Sequence, residues 1–248
     1  MNRTEWKGVW SAAPTPFTLR GEVDPVSLRR MVEHHLRLGV RGLFLCGTNG
    51  EGPWMTDAQR RMVVRTVVQA ARKRLPIAVQ ATDNSARRML DAIRLAKEDG
   101  ADVAVLAAPY FLLNATPENL IALYREVIRK SPLPIGLYDR GNRGPVPLPD
   151  GVIRAIVQEP KVIMVKDSSA DPGRRDLYLE VRRNRPDLLL FNGDEFQCDA
   201  YLKAGYDGLL LGGGVFNGAL AAEIWKAAGQ GEWEKAARLQ KRMNRMMW

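Results

Sequence analysis

A lysine at the end of an apolar run is the first residue in this chain with the means to do covalent chemistry. In Val162-Ile163-Met164-Val165-Lys166-Asp167-Ser168, four apolar residues lead directly into Lys166. A run of that kind reads as a strand buried on both faces, as in a parallel sheet. At such a strand end a lysine is either an ion-pair partner or a nucleophile, because burial favours a neutral amine that can attack a carbonyl. Other polar groups follow apolar runs in the same way. Gly47-Thr48-Asn49-Gly50-Glu51 can form a nest of backbone N–H groups for a carboxylate or phosphate, or an ordinary glycine turn into a helix. Tyr138 can relay protons or simply line a cavity. Asn192-Gly193-Asp194-Glu195 carries two carboxylates that can hold magnesium or a sugar, or cap the next helix. Gly212-Gly213-Gly214 can admit a phosphate or leave room beside a lysine adduct.

These groups need a scaffold that brings strand ends together. Strand patterns are predicted at 8–13, 42–46, 76–81, 103–107, 134–138, 162–166, 188–191 and 208–211. Helices are predicted between them, with starts marked by Asp24-Pro25, Thr56-Asp57, Ser85 and Thr116-Pro117. The first helix carries Leu28, Met31, Val32, His35 and Leu36 on one stripe. Later helices are predicted at about 173–184 and 196–204, and the last two over 218–229 and 232–248. Eight strands, each followed by a helix, make a (β/α)8 TIM barrel of the α/β class. Its chemistry is expected at the C-terminal ends of the strands. The competing fold, an open doubly wound sheet, would want Gly-x-Gly-x-x-Gly after the first strand, and none is there. One domain is expected, with residues 1–218 as the barrel and 219–248 as C-terminal helices packed on it.

Composition narrows the function classes. At 248 residues, 46% hydrophobic and 26% charged, the chain is long enough for one large core. No apolar run approaches the length of a membrane span, and the N-terminal stretch lacks the apolar segment of a signal peptide. With only two cysteines, Cys46 and Cys198, a cytoplasmic setting is expected. The two histidines are adjacent, His34 and His35, so no soft-metal site is expected. The net charge is +9, but the arginine pairs 29–30, 60–61, 87–88 and 174–175 are scattered and read as solvated helix faces. Nucleic acid and membrane are therefore not expected partners.

Taken in order, Gly47-Thr48-x-Gly50-Glu51, Pro109-Tyr110, Tyr138, Val165-Lys166-Asp167 and Gly193-Asp194-Glu195 resemble the dihydrodipicolinate synthase / N-acetylneuraminate lyase family of class I aldolases. The likeness runs from about Gly8 to the chain end, and five motifs in register make it specific. It implies a Schiff-base lyase with no cofactor and no metal, acting on pyruvate or a 2-keto-3-deoxy acid. Lys166 would be the nucleophile and Tyr138 the proton relay. Gly47, Thr48 and Asn49 would hold the keto acid's carboxylate. Tyr110, Arg140, Arg143, Ser168, Gly193 and Gly212 would contact the substrate. A homo-oligomer, dimer or tetramer, is also implied.

Departures from the family pattern bear on the substrate. Asn49 stands where the synthase branch usually has threonine, and Phe111 where it has a second tyrosine. Asp139-Arg140-Gly141 replaces Asn-x-Pro after the tyrosine. Asp167-Ser168 follows the lysine where the synthase has Glu, and Arg140 competes with Arg143 for a substrate carboxylate. These changes favour a 2-keto-3-deoxy sugar-acid aldolase, a related dehydratase or a hydratase-aldolase with an aromatic substrate over the lysine-biosynthetic synthase. A keto-acid-binding paralogue without catalysis is the reading from another class. The family usually continues for several more helices, so the chain is expected to be truncated relative to it, ending on the apolar Met246-Met247-Trp248.

Overall fold

Each predicted strand forms, and the eight pair in parallel in chain order until β8 closes on β1. The structure is a computed structural model that describes residues 3–144 and 146–247. The strands are β1 (Gly8–Ala12), β2 (Gly42–Leu45), β3 (Ile77–Gln80), β4 (Val103–Ala107), β5 (Ile135–Asp139), β6 (Val162–Asp167), β7 (Leu189–Asn192) and β8 (Gly208–Leu211). The helices are α1 (Pro25–Arg37), α2 (Asp57–Ala71), α3 (Ala86–Glu98), α4 (Pro117–Lys130), α5 (Asp150–Val157), α6 (Pro172–Asn184), α7 (Cys198–Ala204), α8 (Gly214–Gly229) and α9 (Trp233–Met247). This is a (β/α)8 barrel with an additional C-terminal helix. Among the described residues no helix is long and apolar enough to cross a membrane.

The helix starts follow local chemistry. Asp24 accepts from the Val26 and Ser27 backbones with Pro25 in the first turn, and Thr56 forms a reciprocal capping box with Gln59. Two helices differ from expectation. The one predicted from Gly218 begins at Gly214, directly from the strand-eight glycines. A Cβ on Gly214 would lie 2.7 Å from the Ser11 Cβ, so glycine lets this helix start against β1. The helix predicted over 196–204 is split: Asp194 caps a short 3-10 turn at Glu195–Gln197, and α7 follows. The last helix was expected to reach Trp248, which lies outside the described residues.

Every residue of the eight strands is buried, as a parallel sheet covered on both faces requires. Side chains alternate between two apolar clusters. Trp10, Phe44, Met164 and Phe191 fill the barrel; Leu43, Val79, Leu137 and Val165 pack between barrel and helices. The rings interlock edge to face, Trp10 with Phe191 at 5.7 Å and Phe44 with Tyr138 at 5.9 Å.

One irregularity decides the direction of Lys166. Ile135 pairs with Val162, but Gly136 pairs with Met164, which leaves Ile163 as an extra residue in β6. Val162 and Val165 pack outside the barrel, whereas Ile163 and Met164 both pack inside. Strict alternation from Val162 would have turned Lys166 toward the helices. The bulge reverses the phase and turns it into the barrel. Gly136 makes room for it, since a Cβ there would sit 3.0 Å from Met164 Cγ.

The α9 helix packs behind the β7–α7 connection. Gln240 donates to the Glu195 carbonyl at 2.8 Å and accepts from the Asp199 N–H at 3.2 Å. Met243 is buried against Cys198, their sulfurs 3.9 Å apart.

Candidate active site

The ends of β4 to β7 stand in register. Ala107 pairs with Tyr138, Tyr138 with Lys166, and Lys166 with Phe191. Tyr138 and Lys166 are therefore side by side at the inner rim, 8% and 6% exposed. The Lys166 ammonium lies 4.4 Å from the Tyr138 ring centroid and 5.2 Å from that of Phe44. No ion pair of Lys166 is found among the described residues, and the strand-end carboxylates beside Tyr138 and Lys166 in sequence are engaged elsewhere. Asp139 accepts from Tyr178 OH and the Gly141 N–H, both at 2.8 Å, and meets Arg174 at 3.5 Å. Asp167 accepts from Ser169 OH at 2.6 Å, the Ser169 N–H at 3.0 Å and Tyr206 OH at 2.9 Å.

The hydroxyls of Thr48 and Ser168 lie near enough to the Tyr138 phenol for hydrogen bonding to favour its ionised form. Burial acts to raise its pKa, but the charges of Lys166 and Arg140 and those two hydrogen bonds outweigh it and bring the phenol below its ordinary value. Asp167 behaves oppositely. Burial raises its carboxyl, its three hydrogen bonds act against that, and the Asp139 charge adds to the rise.

A chamber of about 410 Å³ opens above these groups. Lys166 and Tyr138 form part of its lining, together with Thr48, Asn49 and Ser168. Arg140 and Arg143 bring positive charge to it, and Gly193 and Gly212 complete its β7–β8 side beside Glu195. Gly193 is needed at its position: a Cβ would lie 2.1 Å from Ser168 Oγ and 3.0 Å from Lys166 Cε. Glu195 does not stand free, since its Oε1 accepts from the Gly213 N–H at 2.7 Å. Asp194 accepts from the Phe196 N–H, the capping role open to it in the sequence.

The β2–α2 turn delivers Thr48 and Asn49 to this chamber. Cys46 and Glu51 hold positive φ, 55° and 57°, and Ala170 does the same at 55° after β6. Left-handed non-glycine backbone costs of order 1–3 kcal/mol per residue and clusters at functional loops. The Asn49 side chain spans the rim, donating to the Ala12 carbonyl at 2.6 Å and the Gly212 carbonyl at 3.1 Å. Its amide is thus used to tie β1 to β8. Among the described residues, the backbone N–H groups of Thr48 and Asn49 have no backbone acceptor.

Two expected residues lie elsewhere. Gly47 is beneath the chamber, where a Cβ would lie 2.7 Å from the Phe44 ring. Tyr110 lines a narrower slot on the far side of Tyr138. Phe111 is 65% exposed and points no hydroxyl at either space. Arg174, read from the sequence as solvated, is a correction: its side chain is 10% exposed, donates twice to the Leu148 carbonyl and faces Asp139. Gln80 was not anticipated. Its signal was a polar residue in the apolar run of β3, at the same parity as inward Ala78. Neither thiol is a candidate nucleophile, since burial pushes Cys46 up to about 12 and Cys198 far above its ordinary value. His35 is also structural, fixed between the Met31 carbonyl and Ser11 Oγ.

A model of the dihydrodipicolinate synthetase family matches residues 5–248. The 4-hydroxy-tetrahydrodipicolinate synthase of Phenylobacterium zucineum is 30% identical over 241 residues, which covers 97% of this chain and 81% of that protein. Dihydrodipicolinate synthase from Bacteroides thetaiotaomicron superposes with a TM-score of 0.90 at 28% identity, over 97% of this chain and 80% of that one. The Acinetobacter baumannii enzyme, solved with pyruvate, gives 0.88 at 26% identity, over 95% and 80%.

Proposed function

The chain belongs to the dihydrodipicolinate synthetase family, and from that premise we propose that it is a Schiff-base lyase acting on pyruvate or a 2-keto-3-deoxy acid. The observation that carries this reading is the buried Lys166 amine beside the Tyr138 ring, in a chamber flanked by two arginines.

Lys166 Nζ attacks the keto carbon and forms a carbinolamine. Tyr138 gives its proton to the departing hydroxyl, water leaves, and an iminium remains. The iminium draws electrons from the bond between C3 and C4 of a sugar acid. As that bond breaks, its electron pair forms an enamine, and the C4 hydroxyl gives its proton to the Tyr138 phenolate. The aldehyde departs, C3 takes up a proton, and water hydrolyses the iminium to pyruvate and free lysine. A phenol below its ordinary pKa is suited to passing through the phenolate at moderate pH. Thr48 OH and the Thr48 and Asn49 N–H groups are donors for the keto acid's carboxylate. Arg140 and Arg143 attract the acid and hold charge farther along its chain.

A screen of 2-keto-3-deoxy acids for pyruvate release tests the reading. Release from at least one, lost in Lys166→Ala, is the expected result. Release that survives in Lys166→Ala would overturn it, as would the absence of release from the whole series together with no condensation in the reverse direction.

A further inference from the structure

Gln80 ends β3 with its side chain on the inside of the barrel, 4% exposed. A buried amide costs free energy unless both of its ends are hydrogen-bonded. One end is satisfied, because Nε2 donates to Thr82 Oγ1 at 2.9 Å and to Tyr110 OH at 3.2 Å. The other is not, because Oε1 is buried with no partner among the described residues. Gln80 lines the slot beyond Tyr138, whose volume is about 20 Å³, room for a water-sized group. Thr48, Tyr138 and Arg140 line both the slot and the Lys166 chamber, so the two spaces adjoin. The remaining walls mix apolar residues, Ala107, Val146 and Leu148 among them, with Tyr110 and Asp139.

The chemistry of the missing partner follows from the amide. Turning it over exchanges oxygen and nitrogen, and the Thr82 and Tyr110 hydroxyls can donate or accept in either case. Whichever way it stands, one end of the amide, a carbonyl or an NH₂, is left unpaired on a residue that lines the slot. A hydroxyl pairs with both, because it is donor and acceptor at once. A carboxylate pairs only with the NH₂ and an ammonium only with the carbonyl.

We propose that this slot is a subsite for a hydroxyl group on the aldehyde partner of the reaction, and that Gln80 is the residue that reads it. The inference rests on the Schiff-base reading and adds to it the residue that selects a hydroxyl on the aldehyde. Two aldehydes of nearly equal size test it. Glycolaldehyde carries a hydroxyl where propanal carries a methyl. In condensation with pyruvate, the wild-type protein is expected to favour glycolaldehyde about tenfold or more in kcat/KM. Gln80→Leu should lose that preference while propanal turnover and borohydride trapping of pyruvate stay as in the wild type. Gln80→Met, unbranched and of similar length, should do the same if the leucine variant does not fold.

A preference retained in both variants overturns the subsite, and so does an equal fall for both aldehydes, the mark of a structural or water-holding role. Wild-type protein that traps pyruvate but does not distinguish the aldehydes overturns it too. Wild-type protein that fails to trap pyruvate brings down the Schiff-base reading itself, and the subsite with it.

Discussion

Tyr138 and Asp139 are consecutive, as are Lys166 and Asp167, yet the members of each pair meet different surroundings. The first of each pair faces the barrel interior, where the Lys166 amine has aromatic faces around it and a chamber above. The second faces the helix layer. There Asp139 and Asp167 each accept a tyrosine hydroxyl, from Tyr178 and Tyr206, and the N–H two residues on, from Gly141 and Ser169. Asn192 repeats the local turn at the end of β7, accepting from the Asp194 N–H at 2.9 Å. Strand alternation thus places reactive groups one residue from the groups that fix their backbone. The outward layer is saturated with partners and serves architecture. The inward layer keeps unused bonding capacity, and that is what a substrate can take up.

If this division holds, substitutions inside should cost activity and substitutions outside should cost stability. The largest effect is expected from Tyr138→Phe, which removes the phenolic proton but keeps the ring packed on Phe44. Loss of a positioned acid–base group should lower kcat by about 10²–10⁴-fold with the melting temperature nearly unchanged; a melting point that falls along with activity would blur the contrast. Asp167→Ala is the outward counterpart. It leaves Tyr206 OH and the Ser169 donors without their acceptor in a buried place, at a cost of about 2–4 kcal/mol in chemical denaturation. Unchanged stability there would show that the outward layer is dispensable.

The smallest and most diagnostic change is in pH dependence. Arg140 is one of the cations that lower the Tyr138 pKa, so Arg140→Met should let that pKa rise. The proton-donating form of the phenol then persists to higher pH, and the alkaline limb of kcat/KM should move upward. A limb that stays in place or moves downward would remove Tyr138 as the titrating group.

Much of this arrangement was legible in the sequence. The apolar runs, the Asp24, Thr56, Ser85 and Thr116 caps and the glycine punctuation were enough to set out the eight βα units and to put Lys166, Tyr138 and Thr48 at one rim. The direction of Lys166 was not legible. Val162 to Val165 are all apolar, so nothing in their types distinguishes a bulged strand from a regular one, and the bulge at Ile163 depends on pairing with a strand far away in sequence. The burial of Arg174 was hidden for a similar reason, since its partners, Asp139 at the end of β5 and the Leu148 carbonyl in the loop after it, are distant in sequence. Gly47 carried a motif position but spends its small size on the Phe44 ring.

The central claim is that Lys166 forms a covalent bond with a keto acid. Incubation with pyruvate and borohydride, followed by peptide mapping in the mass spectrometer, tests it most directly. The expected result is one reduced pyruvate adduct on the peptide containing Lys166, absent from Lys166→Ala. An unmodified Lys166, or an adduct on another lysine that persists in that variant, would contradict it.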